Sequence, residues 1–141
     1  MLTFNVEPVA NVWDEMTADW EAIHDEVLNL SKERYVEYER IGFYVQYVAR
    51  YNEKAIGYLG AYLTYSMRNQ NLLAVEDFAY IKPEYRKGRI TKRFGEYIEK
   101  DLKVRGVTRI TCTVKPESVA SRLLQHMNYK ITMYQFEKRL T

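Results

Sequence analysis

The chain has 141 residues, 47% apolar and 28% charged, a length for one domain and a composition that excludes disordered and collagen-like chains. No apolar run approaches the ~18 residues that span a bilayer, and residues 1–10 lack the basic flank and leucine-rich stretch of a secretory signal. One cysteine, Cys112, and two histidines, His24 and His126, supply neither an internal disulfide nor a metal framework. The expectation is one soluble, reduced, metal-free domain over residues 1–141. The net charge of +2 is unevenly spread: six acids and no base fall within residues 14–26, and six bases with one acid within residues 82–93. Such polarity suits an anionic ligand at one place and a cationic one at another, although two solvated helix faces would look the same.

In chain order, residues 2–6 alternate weakly and form a short strand that Pro8 ends. Residues 12–30 carry Val12, Met16, Trp20, Ile23, Val27 and Leu30 at spacings of three and four, one helical stripe with the acids opposite. Ser31 caps a second helix that Gly42 closes. Residues 43–51 are aromatic and β-branched, as strands are; residues 51–54 read as a turn and residues 55–65 as the returning strand. After a polar turn at residues 68–71, residues 72–81 form a further strand, stopped by Pro83. Residues 90–104 form an amphipathic helix with Phe94, Tyr97, Ile98 and Leu102 inward, ended by Gly106. Residues 107–114 are then a strand, 117–127 a helix and 129–140 a last strand. The order is β-αα-βββ-α-β-α-β, a mixed α/β sheet with helices on both faces. Its three consecutive strands are antiparallel, and the later crossover makes two strands parallel.

The chemistry concentrates in residues 72–105. A strand feeds a basic loop, Pro83-Glu84-Tyr85-Arg86-Lys87-Gly88-Arg89, and the loop feeds a helix. Free backbone N–H groups at such a helix start, with the dipole behind them, bind anions.

The run Val75-Glu76-Asp77-Phe78-Ala79-Tyr80-Ile81-Lys82-Pro83-Glu84-Tyr85-Arg86-Lys87-Gly88 resembles the strand and pyrophosphate loop of GNAT-type N-acetyltransferases. The similarity continues through residues 94–102 and 105–107 and returns in residues 123–129. Residues 35–42 and Ile56-Gly57-Tyr58 resemble a branch of that family often encoded by tailed bacteriophages. The element order is also that of the GNAT fold.

The resemblance implies acetyl-CoA as co-substrate, held in a cleft where two parallel strands splay. Its pantetheine arm would pair with backbone at Ala79, Tyr80 and Ile81. Its pyrophosphate would sit on N–H groups of Arg86, Lys87, Gly88, Arg89, Ile90 and Thr91. The motif's two small positions are filled by Arg89 and Thr91, with Gly88 one position early, and the family's general-acid tyrosine is replaced by Leu124. Glu76 and Asp77 are the base candidates. Neighbouring strand residues face opposite ways, so one of them points into the cleft, and Asp77 is favoured because the phage-like branch carries an acid there.

Cys112 is expected to be a buried, inert thiol. By the resemblance, Trp13, Trp20, Tyr35 and Tyr38 fall on the helices where GNAT proteins build the acceptor site, with core packing the expected role of Trp20. The implied activity is acetyl transfer to a primary amine of a small molecule or protein, in the cytoplasm (the host's for a phage protein). An inactive GNAT-shaped binding or virion protein is the alternative. The tyrosine-rich hairpin suits a homodimer interface. A near-neutral charge without a continuous basic stripe argues against nucleic acid as a partner.

Overall fold

The computed structural model describes residues 1–24, 27–86 and 89–141. Its sheet has five strands in sequential order: β1 (Leu2–Val6), β2 (Tyr44–Tyr51), β3 (Lys54–Tyr65), β4 (Leu72–Ile81) and β5 (Val107–Thr111). β1 to β4 are antiparallel neighbours, and β5 lies parallel to β4. The β2–β3 turn is a tight one because Asn52 and Glu53 both take positive φ (48° and 71°), as the right-handed twist of a hairpin requires. The expected mixed α/β fold is the one observed.

Helices α1 (Trp13–Ile23) and α2 (Lys32–Arg40) cover one face of the sheet, and α3 (Ile90–Val104) covers the other. On the α3 face, Phe94, Ile98 and Leu102 pack on Val45, Tyr47, Ile56 and Ala74. On the α1 face, Val12, Met16 and Trp20 pack on Tyr44, Val48, Tyr58 and Phe78. Ser31 caps α2 by accepting the Arg34 N–H at 3.3 Å. Gly106, at φ 92°, ends α3 in the left-handed conformation that a side chain resists.

Three expectations shift. The first helix stops at Ile23, and His24 turns extended. Leu28 and Leu30 still pack against the α1-side core, since reaching that face does not require a helix. Asp25 and Glu26 lie outside the described residues. The strand expected over residues 107–114 ends at Thr111, because β4 departs from it: their pairing stops at Val75↔Thr111. The last strand is not formed. Residues 129–141 carry no strand, and Ile131, Met133 and Phe136 are exposed; β-propensity makes a strand only where a partner edge accepts it. Before them, α4 (Val119–His126) ends as expected, with Asn128 left-handed at φ 70° and the Tyr129 N–H donating to the Leu124 carbonyl.

Candidate active site

The site begins with one irregularity in β4. Gly60 pairs with Phe78 and Ala61 with Glu76, so Asp77 is the extra residue of a β-bulge. A bulge bends its strand and re-aims a side chain. Both consequences are visible. Glu76 points toward the α3 side, close to Cys112 and the Thr113 N–H, while Asp77 and Phe78 turn together to the α1 face. β4 then continues for six residues past its last pair with β5 (Val75), so its edge over residues 76–81 has no strand beside it among the described residues.

On the α1 face, Tyr35 from α2 and Tyr44 from β2 both donate their hydroxyls to Asp77 Oδ2, at 2.8 and 3.1 Å. Tyr62 completes the group, with its ring 5.2 Å from that of Tyr44. Burial first, and then the hydrogen bond and charge of Asp77, push the Tyr35 phenol far above its ordinary range. Burial and the Asp77 charge do the same to Tyr44. Both phenols therefore stay protonated as donors, and the carboxylate is held at a fixed place. Neither tyrosine was assigned to Asp77 by the sequence reading; their 42- and 33-residue separations leave no local signal that joins them to it.

Gly60 makes this arrangement fit. A Cβ there would lie 1.8 Å from the Tyr44 hydroxyl and 2.7 Å from its Cζ. Gly60→Ala is expected to push Tyr44 off Asp77 and to destabilise the fold by about 1–3 kcal/mol, as overpacking does. Tyr44→Phe in the same chain should recover part of that loss. Urea midpoints for the two variants check this, and an unaffected Gly60→Ala protein would refute the fit.

Glu76 is half-buried, and burial first, then the neighbouring Asp77 charge, push its carboxyl up to about 7 against the pull of the Thr113 N–H. Cys112 beside it is pushed up to about 12 by burial and the Glu76 charge, so the thiol is neutral and unreactive near pH 7. Tyr129 is half-buried near Glu99 and Cys112, and its phenol is raised as well, chiefly by burial.

At the far end of β4, Ala79, Tyr80 and Ile81 lie on the open edge. Arg86 folds back on them: its Nε donates to the Ile81 carbonyl at 2.6 Å, and its guanidinium lies 5.3 Å from the Tyr80 ring centre. Lys87 and Gly88 lie outside the described residues. Arg89 is the N-cap of α3, its side chain making no capping bond, and the first turn holds no acid. The first-turn N–H groups, Ile90 and Thr91 included, therefore have no carboxylate of their own to satisfy them, an arrangement that fits an anion. Arg89 sits at φ −103° and Thr91 within the helix, so neither small position of the motif needs glycine's freedom here.

The profile of the Acetyltransferase (GNAT) family matches residues 9–129. The chain belongs to the GNAT acetyltransferase family. A search of curated protein sequences finds no match. Solved structures give the same fold at low identity. The aminoglycoside acetyltransferase meta-AAC0020 from an uncultured soil metagenomic sample, in complex with trehalose, is 12% identical at TM-score 0.81, with 99% of this chain and 97% of that one covered. AAC(6')-Iy, in complex with a bisubstrate analog, CoA-S-monomethyl-acetylneamine, is 11% identical at TM-score 0.81 over 100% and 99%. The ribosomal-protein-alanine N-acetyltransferase of Brucella melitensis biovar Abortus 2308 is 10% identical at TM-score 0.79 over 100% and 99%. Among the described residues no helix of this GNAT chain is long and apolar enough to cross a membrane, and no cluster of three or more His, Cys, Asp or Glu is placed to hold a metal.

Proposed function

We propose that the protein transfers an acetyl group from acetyl-CoA to a primary amine, with Asp77 receiving the proton that the amine sheds. One observation carries the reading: the open edge of β4 runs from the Glu76–Asp77 bulge to a loop that leads into the uncapped start of α3. An extended ligand with an anionic end fits that track. Residues 79–81 would offer it backbone N–H and C=O groups, while the N–H groups of residues 86–91 and the cations Arg86 and Arg89 would hold its pyrophosphate. Acetyl-CoA supplies the activated acetyl thioester when bound.

The rest falls to the chain. A protonated amine does not attack a carbonyl, so the acceptor must lose a proton on arrival. We assign that proton to Asp77, a carboxylate that two phenols hold at the bend of β4. Leu124 in α4 cannot donate a proton to the departing thiolate, so the scheme assigns that proton to solvent. The proposed setting is the cytoplasm, that of the host if the chain is phage-encoded.

Thermal unfolding with acetyl-CoA tests the cofactor half. At about a hundredfold excess over Kd, a ligand specific to the native state adds roughly 2.7 kcal/mol, a rise of several degrees for a domain of this size. Arg86→Ala is expected to remove most of that rise. No shift at millimolar acetyl-CoA would instead leave a GNAT-shaped protein without its cofactor, the binding-protein reading.

A further inference from the structure

The closing quarter of the chain adds nothing to the core. Leu102 is the last buried residue, and from Lys103 to Thr141 every residue is half-buried or exposed. Apolar residues are not lacking there. β5 carries Val107 and Ile110, and α4 with its C-cap carries Leu123, Leu124 and Met127, yet none of the five is buried. Beyond α4, Ile131, Met133, Tyr134, Phe136 and Leu140 are 68–94% exposed. Folded domains rarely leave so much apolar surface open without a partner for it.

Two features of this quarter complement each other. β5 is an edge of the sheet: β4 lies on one side of it, and no strand of the described residues pairs with the other. The outer N–H and C=O groups of such an edge are a template for a further strand. Residues 130–140 are a strand without a sheet. They include Ile131, Thr132, Tyr134 and Phe136, of the types that favour strands, and hold no glycine or proline. A single chain does not bring the two features together. Asn128, left-handed at φ 70°, and the Tyr129 N–H, held by the Leu124 carbonyl, fix the direction in which the chain leaves α4. Tyr129 is half-buried and every residue from Lys130 onward is exposed, so the chain departs from its own surface at that point.

We propose that two copies of the chain exchange this segment, residues 130–140 of each lying along the outer edge of β5 in the other. Each copy holds one open edge and one unpaired strand, so a two-fold axis satisfies both contacts at once and closes the pair. An unrelated partner would fill the edge and leave the segment bare, or take the segment and leave the edge. Main-chain hydrogen bonds hold the added strand, and its apolar side chains cover the half-buried Val107 and Ile110. The hairpin expected as a dimer surface offers less, because Tyr44, Tyr47 and Tyr58 are buried in the chain's own core. β5 is also the strand that parts from β4 beyond Val75↔Thr111, so the exchanged segment braces one side of that opening. The exchange stands whether or not the protein transfers acetyl groups.

Light scattering on the full chain as it leaves a sizing column tests this first. Twice the 16.8 kDa of one chain is expected. Successive residues of a strand point their N–H groups to opposite edges. One of Met133→Pro and Tyr134→Pro therefore removes a donor that faces β5, whatever the register. At least one of the two should raise the dimer Kd by about tenfold or more. Both side chains are exposed in the single chain, so neither change disturbs the core. Hydrogen exchange on the wild-type protein gives a second readout that needs no variant. Amides of residues 107–111 that face away from β4 should be as protected as those that face it, and the alternate amides of residues 130–140 should be protected with them. A mass of one chain from micromolar to millimolar concentration would mean that the segment folds back on its own β5 or stays free, and overturns the exchange. So does a dimer that neither proline weakens, or one whose outer β5 amides exchange freely.

Discussion

Asp77→Asn is expected to lower kcat for acetyl transfer to an amine by about 10²–10⁴, the range over which a positioned general base contributes. The substitution is chosen because it changes chemistry and little else. Asn keeps an oxygen that accepts the Tyr35 and Tyr44 hydroxyls, keeps the volume of the side chain and loses only the capacity to take a proton. The acetyl-CoA-dependent rise in Tm should therefore stay near its wild-type size, since residues 79–91 are untouched. Tyr35→Phe and Tyr44→Phe leave the carboxylate and remove one donor each, so each should cost less, under about tenfold. Rates of thiol release with a primary amine that the wild-type protein acetylates, followed at saturating acetyl-CoA, give all three numbers. An Asp77→Asn enzyme with unchanged kcat would show that the amine loses its proton elsewhere, and attention would pass to Glu76.

That the two acids face opposite ways was legible in the sequence. The alternation of a strand sends adjacent residues to opposite faces, and Glu76 and Asp77 do part in that way. The bulge was not legible. Asp77 and Phe78 share a face because β4 carries one residue more than β3 opposite it, a mismatch that only the paired strand defines. Gly60, which stands across from the bulge and makes room for Tyr44, reads in the sequence as an ordinary strand glycine.

Elements with strong local signals were placed well. α3, with Phe94, Ile98 and Leu102 on one stripe and Gly106 at its end, spans the residues that its periodicity predicts. β4 does likewise, and β1 does so in spite of its weak alternation. Misreadings occur where local pattern and tertiary partner disagree. The apolar spacing of residues 12–30 fits a helix throughout, yet the chain leaves it at His24 and delivers Leu28 and Leu30 to the core in another conformation. Residues 129–140 have the alternation of a strand and no neighbour to complete one.

The second large effect concerns stability. Wild-type protein is expected to lose stability as pH rises from about 4 to 8 through the single residue Glu76, and Glu76→Gln is expected to abolish that component. The sign follows from the direction of the shift. Burial and the Asp77 charge favour the neutral carboxyl in the folded protein, with a value of about 7, whereas the unfolded chain titrates near 4.5. The folded state therefore binds this proton more tightly. The stabilisation is complete below the unfolded value and is lost as pH passes through the folded one. The gap corresponds to a loss on the order of 3 kcal/mol across the window. Glu39 and Glu99, raised chiefly by burial, work with it, while Glu7, held low by the Arg50 hydrogen bond and charge, and Asp101, held low by Tyr47 and Arg105 against its own burial, favour the fold as pH rises.

The comparison that isolates Glu76 is accordingly wild type against Glu76→Gln. Gln is neutral at every pH, fills the same space and keeps an oxygen for the Thr113 N–H. Urea midpoints should nearly coincide at about pH 4, and the variant should become the more stable protein by about pH 8. Two curves that run parallel across the window would mean that Glu76 ionises as freely folded as unfolded. The point where β4 and β5 part would then be wetter than the packing of Cys112 and Thr113 around it requires. A widening gap would instead place a neutral carboxyl beside Asp77 through the lower part of that window, leaving a single negative charge at the bend where the acceptor amine gives up its proton.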